Sequence, residues 1–260
     1  MGLLDGKVGV VAGVGPGLGR SMALAFAREG AAVVLVARRE ETTAQVAAEI
    51  TNLGVRAVTV AADVTDPDAC ARVVEQAADR LGRIDVLVNN AFHQGDRKRL
   101  VDADLDDWRA TMEVNLFGAL ALTRAAVPHL AERGDGRVIM VNTMSVQRIE
   151  AKFGAYAASK GALATVTKTL AAELGPQGIR VNGIHPGYIW ADSVEWWFNN
   201  QAEKRGVSFE TVYGEVAGQT ALGYLAPADE VAGTVVFLAS DLARPITGQS
   251  IGVNAGHWFS

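Results

Sequence analysis

Cysteine is nearly absent from this chain of 260 residues, where Cys70 stands alone. A single thiol can close no internal disulfide and build no thiolate metal site, which fits a reducing interior. Positive charge is also short, with 24 Lys and Arg against 29 Asp and Glu. The resulting net charge of −5 excludes the cationic surface on which nucleic-acid affinity rests. Long apolar runs are missing too. The most hydrophobic stretch, 22–37, carries Arg28 and Glu29 in its middle, so no membrane span is expected. The opening residues, Met1 to Lys7, lack a basic start followed by an apolar core, and Gly6 stands where a myristoylation signal needs Ser or Thr. His93, His129, His185 and His257 share no ligand spacing, and no metal is expected. A cytoplasmic protein with a small-molecule partner is the expectation.

With 49% hydrophobic and 20% charged residues the chain reads as globular, and its length suits one large α/β domain over 1–260. Short Val/Ile/Leu runs at 7–12, 32–37, 56–61, 84–89, 137–142, 179–184 and 249–253 alternate with helix-length amphipathic segments. Those segments lie at about 18–30, 41–53, 67–82, 104–131, 154–175 and 227–240. The strand runs are continuously apolar, as strands covered on both faces are. Strand–helix alternation then predicts a doubly wound parallel sheet of about seven strands with helices on both faces. Residues 190–226 break the rhythm with an aromatic insertion: Trp190, Trp196, Trp197, Phe198, Phe209, Tyr213 and Tyr224.

The first strand runs into Ala12-Gly13-Val14-Gly15-Pro16-Gly17-Leu18-Gly19 and then a helix. Gly-x-Gly-x-x-Gly does not fit, whereas Gly-x-x-x-Gly-x-Gly does, at 13, 17 and 19. Glycines let a backbone approach a pyrophosphate, and a helix N-terminus offers it free N–H groups. Gly13, Gly15, Gly17, Leu18 and Gly19 are therefore candidate phosphate contacts of a dinucleotide. After the second strand comes Ala37-Arg38-Arg39, where an acidic residue would accept the adenosine ribose and repel a 2′-phosphate. Two guanidinium groups suit that phosphate and point to NADP(H), with NAD(H) as the alternative. Glu40 and Glu41 follow and offer a second reading, a neutralised surface turn.

Tyr156 and Lys160 stand four residues apart, on one face of a predicted helix. A nearby ammonium favours phenolate, so the pair can trade a proton with an alcohol or alkoxide. Here the chain resembles the short-chain dehydrogenase/reductases, a family of about this length with a Rossmann-like fold. The likeness covers nearly all of the chain. It rests on glycines 13, 17 and 19, Asp63-Val64, Asn89-Asn90-Ala91, Asn115, Ser145, Tyr156, Lys160 and Pro186-Gly187.

The resemblance implies a hydride exchange between NADP(H) and a carbonyl or secondary alcohol. Tyr156 is then the acid/base, and Lys160 lowers its pKa and binds the nicotinamide ribose. Ser145 holds the substrate oxygen, and Asn115 holds a water that relays protons to Lys160. By the same likeness Asp63 and Val64 contact adenine, Asn89 and Ala91 line the cofactor cleft, and Pro186, Gly187 and the backbone of Ile189 meet the nicotinamide. Homotetramers or homodimers through the segments at about 104–131 and 154–175 are implied as well, and the aromatic tail at 256–260 would suit a subunit contact.

Several residues depart from the family pattern. Ala12 replaces a usual Thr, Phe92 a usual Gly, and Trp190 a frequent Thr. Only eleven positions separate Ser145 from Tyr156, which leaves Thr143 as a rival hydroxyl at the more usual spacing. Leu163 occupies the position where the enoyl-reductase branch has its lysine. The aromatic insertion either walls a bulky or cyclic apolar substrate or packs the lid onto the body. Asp102, Asp104, Asp106 and Asp107 read as a solvated helix start, and Cys70 as a small core residue. A catalytically silent dinucleotide-binding redox sensor is the non-enzyme alternative.

Overall fold

The computed structural model describes residues 2–259, so Met1 of the opening stretch and Ser260 of the tail lie outside the described residues. Seven parallel strands form one sheet: β1 Val8–Ala12, β2 Ala32–Ala37, β3 Ala57–Ala61, β4 Val86–Asn89, β5 Gly136–Val141, β6 Ile179–Pro186 and β7 Ser250–Val253. Their order is β3-β2-β1-β4-β5-β6-β7. Every residue of β1, β4 and β5 is buried, which is why these runs show no alternation.

Helices cover both faces. On one side α1 Leu18–Arg28, α2 Glu40–Asn52 and α9 Ala228–Ala239 bury Met22, Phe26, Ile50 and Val235 against the sheet. On the other, α3 Pro67–Leu81, α5 Ala119–Ala131 and α6 Gly154–Leu174 bury Val73, Leu122, Leu130 and Leu163. The packing is close. Phe26 is fully buried over Gly9, where an added Cβ would come within 2.5 Å of the ring. Truncating Phe26 to Ala would cost about 3–5 kcal/mol through the cavity left behind. The chain winds from β1 toward β3 on one side and from β4 toward β7 on the other. A crevice therefore opens beyond the carboxyl ends of β1 and β4, where such folds bind ligands.

Two regions differ from expectation. The single helix expected at 104–131 is split into α4 Leu105–Met112 and α5 by a wide π turn over Glu113–Gly118. Local tertiary demands account for the break. Gly118 presses on Val64 with no room for a Cβ, and Asn115 is turned fully inward. Such π segments are frequent at functional sites. The insertion at 190–226 forms two helices, α7 Asp192–Arg205 and α8 Phe209–Ala217, around a small core of their own. Trp190 stacks on Phe198 at 5.9 Å, and Phe209 on Tyr213 at 6.2 Å. Those four rings pack the insertion itself, while Trp196 and Trp197 stay exposed.

Candidate active site

The glycines of the first turn divide into two kinds. Gly13 has φ +88°, and a Cβ there would stand 2.4 Å from the backbone nitrogen of Ala91. A Cβ on Gly19 would lie 2.4 Å from the Gly13 carbonyl oxygen. These two close the turn on its neighbours. Gly15 and Gly17 instead face open space, with nothing within 4 Å of a built Cβ. No side chain caps the start of α1 and no acid lies in its first turn, so the amides at Leu18 and Gly19 present partial positive charge. The Leu18 side chain packs into the core, leaving its backbone for this role. Asn90 braces the turn, its Nδ2 donating to Gly13 O at 2.7 Å.

A cavity of about 290 Å³ extends from this turn across the strand ends. Gly13, Gly15, Arg38, Arg39, Asp63, Val64 and Ala91 line it, all expected there. Both arginines are exposed, and neither pairs with Glu40 or Glu41 among the described residues. Thr65, through its backbone N–H above all, holds the Asp63 carboxyl below the usual range, with a smaller pull from the Arg38 guanidinium.

Asn89 departs from its expected place in the cleft. Its Nδ2 donates to Thr123 Oγ1 at 3.0 Å, and Asn89 does not line the cavity. Asn90 lines the cavity instead, together with Phe92, His93 and Val114. His93, which shares no ligand spacing with the other histidines, belongs to the cleft wall, with Nε2 3.3 Å from Asp107. The other acids fit a helix start: Asp104 accepts from the Asp106 N–H at 2.9 Å. Cys70 is buried in the core, which pushes its thiol up to about 11.

Tyr156 and Lys160 sit one turn apart on α6. The Lys160 side chain is buried, and Nζ donates to the Val141 carbonyl at the end of β5, 2.7 Å away. No carboxylate pairs with it among the described residues. Asn115 links this helix to the cleft wall. Its Nδ2 donates to Ser159 Oγ at 2.9 Å and to His93 O at 2.8 Å, while Oδ1 accepts from His93 N at 2.7 Å. Both amide hydrogens of Asn115 are thus taken by protein partners.

Two hydroxyls gather at the end of β5. The Thr143 hydroxyl approaches the Tyr156 phenol closely enough to oppose the rise in its pKa. Its Oγ1 also accepts from the Ser145 N–H at 3.2 Å and lies 3.3 Å from Ser145 Oγ. His185 Nδ1 fixes the Thr143 carbonyl at 2.8 Å. The structure therefore brings Thr143 against the phenol and Ser145 directly behind it. Two rings flank Tyr156 edge-on: Phe92 at 6.4 Å and Phe153 at 6.3 Å. Pro186 ends β6, Gly187 and Ile189 follow it, and none of the three lines the 290 Å³ cavity. Gly187 is pressed between Asn254 and Met144, and Ile189 packs into the core.

Burial governs both titrating groups. It pushes the Tyr156 phenol up to about 12, with the Thr143 hydroxyl opposing. It pulls the Lys160 ammonium down to about 7. The expected lowering of the phenol by the ammonium is absent, because low surrounding polarity penalises both charged forms. What results is a protonated phenol beside an amine poised near neutrality.

Residues 13–257 match a family model, adh_short_C2, described as "Enoyl-(Acyl carrier protein) reductase". In this chain Leu163 is buried, and the amine one turn after Tyr156 is Lys160. The short-chain reductase protein NovJ of Streptomyces niveus is 37% identical, over 96% of this chain and 93% of that one. The structure of L-sorbose reductase from Gluconobacter frateurii, complexed with NADPH and L-sorbose, is 32% identical. It superposes with a TM-score of 0.93 over 100% of this chain and 99% of the other. Carveol dehydrogenase from Mycobacterium avium, in complex with NAD, is 28% identical with a TM-score of 0.91, covering 99% of each chain.

Proposed function

The chain belongs to the short-chain dehydrogenase/reductase family, and from that premise we propose that it is an NADP(H)-dependent oxidoreductase interconverting a carbonyl and a secondary alcohol. The observation that carries the proposal is Lys160, buried without a carboxylate one turn after Tyr156. An unpaired buried amine is expensive to fold, and chains keep such groups for chemistry.

The residues around the cleft fit a nicotinamide dinucleotide. The uncapped start of α1, with open space at Gly15 and Gly17, suits the pyrophosphate, and Asp63 and Val64 suit the adenine end. The two solved relatives carry NADPH and NAD respectively. Arg38 and Arg39, in the cavity wall with no ion pair among the described residues, favour the phosphorylated form. When bound, the cofactor supplies or takes up the hydride. The protonated Tyr156 phenol donates its proton to the substrate oxygen during reduction, while Thr143 and Ser145 offer hydroxyls to the charge growing there. Lys160, near neutrality, takes up and releases protons, and Asn115 fixes the cleft wall beside it.

In this reading 1–260 is a single dinucleotide-binding domain, and 190–226 is its substrate lid. The substrate is a bulky or cyclic carbonyl. With four lid rings spent on the lid's own core, its apolar part meets Phe92 and Phe153, the two rings edge-on to Tyr156. A cytoplasmic homodimer or homotetramer accompanies the reading, supported by the exposed Leu100, Val101 and Leu105 beside α4.

Tyr156→Phe tests the enzyme against the redox sensor. The variant should bind NADPH as the wild type does and lose turnover of a ketone panel. Retention of most turnover would refute the assignment.

A further inference from the structure

Outside the dinucleotide cavity, a polar cluster that the reaction above does not use gathers where the loop carrying Thr143 and Ser145 leads on from β5. Arg148 Nη1 pairs with Glu150 Oε1 at 2.8 Å, and Arg148 Nη2 donates to Gln219 Oε1 at 3.0 Å. The Tyr188 phenol donates to the same Glu150 oxygen at 3.2 Å. The His257 ring lies 5.7 Å from that of Tyr188, with Nε2 3.4 Å from Gln219 Oε1. His257 is only 8% exposed, yet its Nδ1 has no hydrogen-bond partner among the described residues.

Three strand ends and the lid bring these groups together: the loop after β5, the residue after Gly187 beyond β6, the segment after β7, and the end of α8. Met144, between Thr143 and Ser145, ties two of these segments together. Its carbonyl accepts the Arg148 N–H at 2.8 Å, and its sulfur stands 3.5 Å from where a Cβ on Gly187 would lie. A wall meant only for an apolar substrate would not hold a half-buried ion pair, which costs desolvation.

The charges of Arg148 and Glu150 offset one another, so the cluster favours neither an anion nor a cation. Burial also keeps the His257 ring neutral by pulling its pKa down. A carboxylate, a phenol and a neutral imidazole nitrogen share one fitting partner, a hydroxyl, which both donates and accepts. We infer that Glu150, Tyr188 and His257 form a subsite for a substrate hydroxyl remote from the reacting carbonyl. The preferred substrates are then hydroxylated cyclic or branched carbonyls and not wholly apolar ones. The inference rests on the proposed oxidoreductase activity.

Two isosteric pairs test it: 4-methyl- against 4-hydroxycyclohexanone, and 4-propyl- against 4-(2-hydroxyethyl)cyclohexanone, each reduced with NADPH. The wild type should favour the hydroxylated member of at least one pair by about tenfold in kcat/KM, the scale of one hydrogen bond to a buried polar group. Tyr188→Phe and His257→Phe should each bring that ratio toward one, with NADPH binding as the check on folding. Equal use of both members by the wild type overturns the subsite while leaving the oxidoreductase standing. A preference that survives in both variants overturns it too. If no ketone is reduced although NADPH binds, the activity itself fails, and the subsite falls with it.

Discussion

Lys160 Nζ lies 2.7 Å from the carbonyl oxygen of Val141, tying the middle of α6 to the end of β5 without any carboxylate. A carbonyl takes one of the three ammonium hydrogens and does not neutralise the charge. Burial therefore pulls the group from its ordinary value of 10.5 to about 7. The unfolded chain binds a proton between those values that the folded chain has released, so stability rises as pH climbs from about 7 toward 10.5. The slope approaches about 1.4 kcal/mol per pH step. Urea unfolding of Lys160→Met across that range should lose this slope and give a more stable protein at pH 7.

Gly13 and Gly15 should part company under the same substitution. Gly13→Ala forces a Cβ against the Ala91 backbone at positive φ, so thermal unfolding should move several degrees lower. Gly15→Ala adds a methyl to open space. Its melting temperature should stay at the wild-type value, while NADPH affinity falls about tenfold as the methyl enters the phosphate cradle.

Arg38→Asp replaces a phosphate-gripping guanidinium by a ribose-accepting carboxylate in the cavity wall. Fluorescence titration should find NADPH binding weakened by about ten- to a hundredfold, with NADH binding held or improved. Equal losses for both dinucleotides would mean that the arginine serves only as general positive charge.

The seven strands and the glycine turn were legible because burial on both sheet faces writes continuous apolar runs and a pyrophosphate admits only glycine nearby. The break in the helix at 104–131 was not, since Asn115 is drawn inward by His93 and Ser159, partners distant in sequence. Asn89 and Asn90 look alike in the sequence, yet strand pairing decides which faces the cavity. The fate of the lid aromatics depended on α7 folding against α8, which no local pattern encodes. The cluster of Arg148, Glu150, Tyr188, Gln219 and His257 joins four separate segments and leaves no motif at all.

Thr143 and Ser145 divide a role that sequence spacing left open. Thr143 opposes the rise of the phenol pKa and its carbonyl is held by His185, whereas Ser145 Oγ lies 3.3 Å from Thr143 Oγ1. Thr143→Val should lower kcat by about a hundredfold, the scale of one donor lost at a developing oxyanion. Thr143→Ser should restore most of it. Ser145→Ala should cost less, and a larger loss there than in Thr143→Val would return the principal role to Ser145.

Phe92 covers Tyr156 from the cavity side, edge to face at 6.4 Å, although its own ring is 61% exposed. Low polarity around the phenol is the chief reason its pKa rises to about 12. Opening that side to water should therefore lower the phenol pKa, because a phenolate gains hydration that the neutral form does not need. In Phe92→Gly the alkaline fall of kcat/KM for ketone reduction should move to lower pH, since reduction needs the protonated phenol. Oxidation of the alcohol, which needs the phenolate, should gain at the same pH. A purely steric role for Phe92 would change KM alone and leave both pH profiles where they were.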